Sequence, residues 1–261
     1  MKFVEKSNRA PIFIHALFRT GSTYLWRKFR QVEGFYCYYE PLHHFFLEID
    51  RNYRDKFWKG DRLVGKELQI KKHFLHEYDN LIDNQTKGLP YFKKSFIFDQ
   101  YCKTDTNLEL QNYINFLIEN AKDRRPVFQF NRTALRTRWF KRNYPEALNI
   151  YLVRNPRDQW ESCIRKAKKS SNIFVVMDLM ISSLNLSQKY FYELAQHLPL
   201  VQYQNKDFQD ERIFYDTISD AYSTQDKYFI FYYIWLLSLI ENILCTDMTI
   251  NINLLKNDIR Y

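Results

Sequence analysis

The chain has 261 residues, 46% of them apolar and 18% aromatic, and a formal net charge of +9. This composition excludes a disordered or low-complexity chain, and the length suffices for one α/β domain with a core of its own. Four scattered cysteines, Cys37, Cys102, Cys163 and Cys245, fit neither a disulfide framework nor zinc-ligand spacing; they read as buried free thiols in a reducing, cytoplasmic setting.

The first element is the apolar run Pro11 to Leu17, which reads as a buried strand. It is short, holds His15 and lacks a cleavage pattern, so it is not a signal peptide. The stretch Phe18-Arg19-Thr20-Gly21-Ser22-Thr23-Tyr24-Leu25 then turns into an amphipathic helix. A strand, a tight turn and a helix N-terminus make an anion cradle, because free N–H groups and the positive end of the helix dipole meet at one point. Arg19 adds a fixed cation, and Ser22 and Thr23 add hydroxyl donors. The nucleoside-triphosphate loop G-x-x-x-x-G-K-[ST] is not matched: Ala16 stands for the first glycine and Ser22 for the lysine.

Tyr38 and Tyr39 end a short aromatic strand that leads into Glu40-Pro41-Leu42-His43. Residues 41–125 read as helical and irregular. Within them, His73 and His76 in Lys71-Lys72-His73-Phe74-Leu75-His76 lie three apart on a predicted helix, but no third ligand stands out, so no metal is expected. Pro126 to Asn131 reads as a strand, which puts Arg132 at the ligand edge of a sheet. The basic run Arg132, Arg136, Arg138, Lys141 and Arg142 pairs its members at i, i+4 and so forms no single flat face. Most of it reads as a solvated helix surface, with no nucleic-acid partner implied.

Leu148 to Val153 reads as another buried strand. After it, Asn155 suits an N-cap and Pro156 the first helical position, and Trp160, Cys163, Ile164 and Ala167 form the apolar stripe. Arg154 therefore stands at the strand's C-terminal edge, where open parallel sheets bind ligands, with Ser162 about two turns into the helix. Met177 to Leu198 reads as a helix stopped by Pro199. Tyr228 to Ile240 is apolar but short for a membrane span and reads as a core helix closed by Glu241 and Asn242. No transmembrane segment is expected; peripheral membrane contact stays open. Met248 to Ile252 reads as a last strand.

These phrases together resemble the sulfotransferases that use 3′-phosphoadenosine 5′-phosphosulfate (PAPS). Arg19-Thr20-Gly21-Ser22-Thr23-Tyr24-Leu25 is similar to their first motif, [RK]-[ST]-G-[ST]-[ST]-[FWY]-L. Arg154 with Ser162 eight positions on, in the phrase Val-Arg-Asn-Pro-Arg, is similar to their second. The arginine form and the Tyr-Glu-Pro-Leu phrase at Tyr39 to Leu42 look closest to the carbohydrate and bacterial branch. The resemblance implies a single domain over residues 1–261 with a mostly parallel sheet flanked by helices, the P-loop nucleotide-kinase-like sulfotransferase fold. It implies that Arg19, Thr20, Gly21, Ser22 and Thr23 hold the 5′-phosphosulfate, and that Arg154 and Ser162 hold the 3′-phosphate. It makes Arg19 and Glu40 the catalytic pair, with Glu40 taking the acceptor hydroxyl's proton and His43 or His44 as alternatives. The other use of Glu40 is an ion pair with a nearby Arg or Lys. PAPS is then the only donor needed, without metal, and residues 41–125 line the site of a glycan or glycolipid acceptor. Family members continue past the point where this chain ends at Tyr261, which implies a shortened C-terminus. A P-loop kinase or NTPase with an unusual loop, or a non-catalytic basic module binding nucleic acid or membrane, are the competing classes.

Overall fold

The computed structural model describes residues 9–52, 73–83, 85–165 and 172–257. Lys71, Lys72 and Ala167 lie outside them. Among the described residues, five strands make one sheet in the order β2-β3-β1-β4-β5. These are β1 (Ile12–His15), β2 (Phe35–Tyr39), β3 (Arg125–Phe130), β4 (Leu148–Val153) and β5 (Met248–Asn251). All four pairings are parallel.

A parallel sheet buries both faces, and its central strands are apolar on both. Ile12, Ile14, Cys37, Val127, Ile150 and Leu152 share one cluster with Trp26 of helix α1 (Ser22–Arg30). Phe13, Tyr38, Phe128 and Phe130 share another with Phe96 of the short α2 (Ser95–Phe98), with α3 (Leu108–Asn120) and with Trp139 and Phe140 of α4 (Thr137–Asn143). The period-two alternation along each strand sorts residues between these layers. His15 is the polar exception in β1. Its ring nitrogens meet Thr133 Oγ1 at 2.8 Å and Asn149 Oδ1 at 3.1 Å. Burial pulls its pKa down to about 4.

After β4 come α5 (Pro156–Arg165), α6 (Ile173–Leu184), α7 (Lys189–Ala195), α8 (Phe208–Ser219), α9 (Thr224–Cys245) and, past β5, α10 (Ile252–Asn257). The expected N-terminus of α5 is as read: Pro156 is its first residue, and Asn155 Oδ1 accepts from Arg157 N at 3.0 Å.

Three expectations are corrected. Of the part of the basic run read as a solvated face, Arg138 and Arg142 are exposed but Arg136 is buried; Arg132, set apart at the sheet edge, is buried and lines the cavity. Arg136 donates to the Phe96 and Ile97 carbonyls at 2.6 and 3.0 Å, closing the C-terminal end of α2, with its guanidinium over the Tyr101 ring. Helix-end carbonyls need outside donors, and a long cation meets that need.

The second correction concerns Met177 to Leu198, which is two helices. Asn185 breaks it because its Nδ2 donates to Ile181 O and Phe98 O, both at 2.7 Å, and its Oδ1 accepts from Tyr101 N at 3.1 Å. A side chain that takes the carbonyl four residues back competes with the helix ladder.

Third, the apolar segment around Tyr228 to Ile240 belongs to a 22-residue helix that is not a core helix on all sides. Ile230, Phe231, Ile234, Ser238 and Asn242 are buried, whereas Phe229, Tyr232, Leu236, Ile240, Ile243 and Leu244 are exposed. An 18-residue window of α9 has mean hydropathy 1.6, so by length and composition it could cross a membrane. Its inner stripe is hydrogen-bonded into the domain: Asn242 Nδ2 donates to Ala134 O, and Asn242 Oδ1 accepts from Thr137 Oγ1 at 2.6 Å.

Candidate active site at the sheet switch point

The chain leaves β1 toward β2 and β3 on one side and leaves β4 toward β5 on the other. In such sheets the diverging loops open a crevice at the strands' C-terminal ends, where ligands bind. Here the two loops are the segment from Leu17 to Gly21 and the turn from Arg154 into α5. They open on a cavity of about 550 Å³ lined by Arg19, Gly21, Ser22, Thr23, Tyr39, Glu40, His43, His44, Asn131, Arg132 and Arg154 among others. That volume falls within the roughly 300–1,000 Å³ of small-molecule sites.

The first loop is built by two left-handed residues, Arg19 at φ 65° and Gly21 at φ 106°. Gly21 precedes α1 as its N-cap, and no side chain caps the helix there. The leading N–H groups of a helix have no intrahelical acceptor, and Ser22 and Thr23 line the cavity. Thr20 does not: it is buried, with its hydroxyl donating to Leu17 O at 2.7 Å and its N–H to the same oxygen at 3.4 Å. Thr20 shapes the turn. A Cβ on Gly21 would meet Ile252 Cγ2 at 3.3 Å, so α10 packs directly on the loop.

The second loop locks onto the first. Arg154 Nη1 donates to Arg19 O at 3.0 Å, and Arg19 Nε donates to Ser162 Oγ at 3.2 Å. Gln159 Nε2 donates to Phe18 O at 2.8 Å, and Trp235 Nε1 holds Arg154 O at 3.0 Å. The Arg19 guanidinium also lies 5.5 Å from the Phe174 ring centroid. Burial lowers its pKa, and neighbouring Arg154 acts in the same direction. Ser162 does not itself line the cavity; it holds Arg19 in place.

Glu40 sits just past β2, buried and left-handed at φ 42°. Its N–H donates to Gln129 O at 2.9 Å. Oε1 accepts from Asn131 Nδ2 and Oε2 from Arg132 Nη1, both at 2.6 Å. The carboxylate therefore faces the cavity and is ion-paired at once. Arg132 is set between Phe18 and Phe98, at 5.1 and 5.5 Å from their ring centroids. Burial holds the His43 imidazole well below the usual histidine range, and Arg132 adds to the effect. The same two causes put His44 at about 3. His43 Nδ1 is already taken as an acceptor by Phe45 N at 3.3 Å. Burial and Arg132 thus weaken both rings as proton acceptors relative to an ordinary histidine.

Comparison of the chain with protein-family models, with characterised proteins and with solved structures finds no match.

Sequence reasoning missed Gln129 and Asn131. Gln129 Nε2 donates to Ser22 Oγ at 2.8 Å and to Asn131 Oδ1 at 3.0 Å, and Ser22 Oγ donates to Asn131 Oδ1 at 2.7 Å. The available signal was a lone polar residue inside Val127-Phe128-Gln129-Phe130, followed by Asn131 and Arg132 at the strand's C-terminal edge. Asp79, also missed, is the third member of a group with His73 and His76 whose ligand atoms lie within 4.8 Å of one another. Its Oδ2 meets His73 Nε2 at 3.1 Å and His76 Nδ1 at 2.9 Å. Three such groups could hold a metal ion, although their mutual hydrogen bonds already account for the cluster.

Proposed function

We propose that the protein transfers a sulfuryl group from PAPS to a hydroxyl, with the sheet belonging to the P-loop nucleotide-kinase-like sulfotransferase fold. The observation that carries this reading is the meeting of the two motifs. Arg154 bonds the carbonyl of Arg19, and Arg19 bonds Ser162, although well over a hundred residues separate them. A donor with phosphate at both the 3′ and 5′ positions needs two cationic ends in one crevice, and the loops after β1 and β4 supply them.

In this mechanism the helix N-terminus at Ser22 and Thr23, with Arg19, holds the 5′-phosphosulfate. These groups stabilise charge that grows on the bridging oxygen as the sulfur–oxygen bond breaks. Arg154 holds the 3′-phosphate, and Ser162, the second residue of that motif, acts through the Arg19 side chain that it anchors. Glu40 takes the proton of the acceptor hydroxyl as that oxygen attacks sulfur. Fixed cations do the charge stabilisation that magnesium supplies in kinases. The acceptor is a glycan or glycolipid hydroxyl, a reading that rests on the Tyr-Glu-Pro-Leu phrase, and the setting is cytoplasmic.

The test is ligand-dependent stabilisation followed by transfer. Adenosine 3′,5′-bisphosphate should raise the melting temperature, and labelled sulfate should pass from PAPS to a member of a sugar panel. Stabilisation by ATP with magnesium, and none by the bisphosphate, would instead favour a kinase or NTPase.

A further inference from the structure

Ser22 of the donor loop and Glu40, the base, do not touch, yet one side chain joins them. Asn131 Oδ1 accepts the Ser22 hydroxyl at 2.7 Å, while Asn131 Nδ2 donates to Glu40 Oε1 at 2.6 Å. The amide orientation is fixed by its surroundings. Oδ1 faces two donors, Ser22 Oγ and Gln129 Nε2, and Nδ2 faces a carboxylate. The reverse orientation would set oxygen against oxygen and amino group against amino group.

We infer that Asn131 is a positioning residue through which occupancy of the donor loop releases Glu40. The inference rests on the reading of the crevice as a PAPS site. Ser22 has a single hydroxyl proton. Its Oγ already accepts from Gln129 at 2.8 Å, and that proton is committed to Asn131. An anionic phosphoryl oxygen at the helix N-terminus is the stronger acceptor, so donor binding turns the proton away from Asn131. The amide then keeps only Gln129 on its oxygen side and is less firmly held against Glu40. Oε1 gains a lone pair for the acceptor hydroxyl, while Arg132 still anchors Oε2. With no donor bound, Oε1 stays capped. The relay therefore imposes an order, donor before acceptor, and keeps the base covered in the empty enzyme.

A double-mutant cycle read by calorimetric titration of adenosine 3′,5′-bisphosphate into the full chain tests this. The competition for one proton is removed in Asn131→Ala, so its affinity should rise about threefold to tenfold over wild type. In a Ser22→Ala background, Asn131→Ala should change affinity by less than about twofold. A structural role exercised through contacts other than the Ser22 bond would not make the effect of Asn131→Ala depend on the Ser22 hydroxyl, and one exercised through that bond would lower affinity in Asn131→Ala rather than raise it. Asn131→Ser is titrated beside it, because it keeps a small polar group at the strand end but cannot span from Ser22 to Glu40. An unchanged affinity in both Asn131 variants, or an equal change with and without the Ser22 hydroxyl, overturns the relay while leaving the donor site standing. Failure of the wild-type chain to bind the bisphosphate overturns the donor reading itself, and the relay with it.

Discussion

Arg19 Nε donates to Ser162 Oγ at 3.2 Å, joining the turn after β1 to the second helical turn of α5. The bond gives Ser162 a use that a phosphate-contact role alone does not express. It fixes the guanidinium that the mechanism needs near the breaking bond. Ser162→Ala should therefore lower turnover as well as donor affinity, each by about tenfold, or roughly 1.4 kcal/mol. Arg154→Ala should mainly weaken binding of adenosine 3′,5′-bisphosphate, and Arg19→Ala should cost more turnover than affinity. Titration of the bisphosphate beside single-turnover transfer separates the three. An Arg154→Ala protein that binds the bisphosphate as wild type does removes that residue from the site.

Glu40 and Arg132 are buried together, with side chains 9% and 3% exposed. Removing one partner of such a pair leaves the other charge stranded, which typically costs about 3–5 kcal/mol. Arg132→Met should fall in that range by urea denaturation. The double change Glu40→Gln with Arg132→Met should recover most of the loss, since no buried charge remains. On the proposed mechanism it should stay inactive, because there Glu40 is the base. A double variant no more stable than Arg132→Met alone would show that Arg132 matters through packing between Phe18 and Phe98 rather than through charge.

The fold was largely readable in the pattern of apolar runs. The strands at Pro11, Pro126 and Leu148 announce themselves as short, mainly apolar stretches, the strand at Met248 as an alternation of apolar and polar residues, and a parallel sheet needs little more. The turns that follow the strands at Arg19 to Gly21 and at Arg154 were readable for the same reason: their residues are contiguous and sit next to strand ends. What escaped was set by neighbours distant in sequence. Arg136 looks like any surface arginine until α2 brings two unpaired carbonyls to it. Asn185 looks helix-compatible until Tyr101 and Phe98 offer it partners. Gln129 and Asn131 acquire meaning only once β3 lies beside β1 and carries them next to Ser22. Asp79 continues the spacing of three from His73 and His76, but it reads as a solvated charge until the 3-10 turn at His76–Tyr78 brings its carboxylate to both rings.

Gly21 carries two separable constraints. Its φ of 106° suits only glycine, and a Cβ there would press on Ile252. Gly21→Ala should destabilise the chain by more than about 1 kcal/mol and abolish bisphosphate binding, because the loop must abandon its left-handed turn. Ile252→Ala opens the space but leaves the backbone requirement untouched. The double variant should therefore bind no better than Gly21→Ala. Recovery of binding in the double variant would mean that contact with α10, and not the turn, sets the requirement.

Asp178 of α6 lies behind the Phe174 wall, in a small cavity with Gln159 and Cys163. Burial raises its pKa from 3.8 to about 8. A carboxyl whose folded pKa exceeds its unfolded one keeps a proton that the unfolded chain has lost. Stability is then greatest below pH 3.8 and falls as pH rises through about 8, at up to roughly 1.4 kcal/mol per pH unit. His15 acts in the opposite sense: with its pKa lowered from 6.5 to about 4, its share of stability is present above pH 6.5 and lost on acidification toward 4. The two slopes oppose each other in the wild-type curve, so its shape alone tells little. Asp178→Asn removes one and leaves the other. The stability difference between Asp178→Asn and wild type, from urea denaturation at pH 5 and pH 8, should grow in favour of the variant by several kcal/mol as pH rises. A difference that stays flat between those pH values would mean that Asp178 titrates alike in the folded and unfolded chain, with water or a cation reaching it behind Phe174.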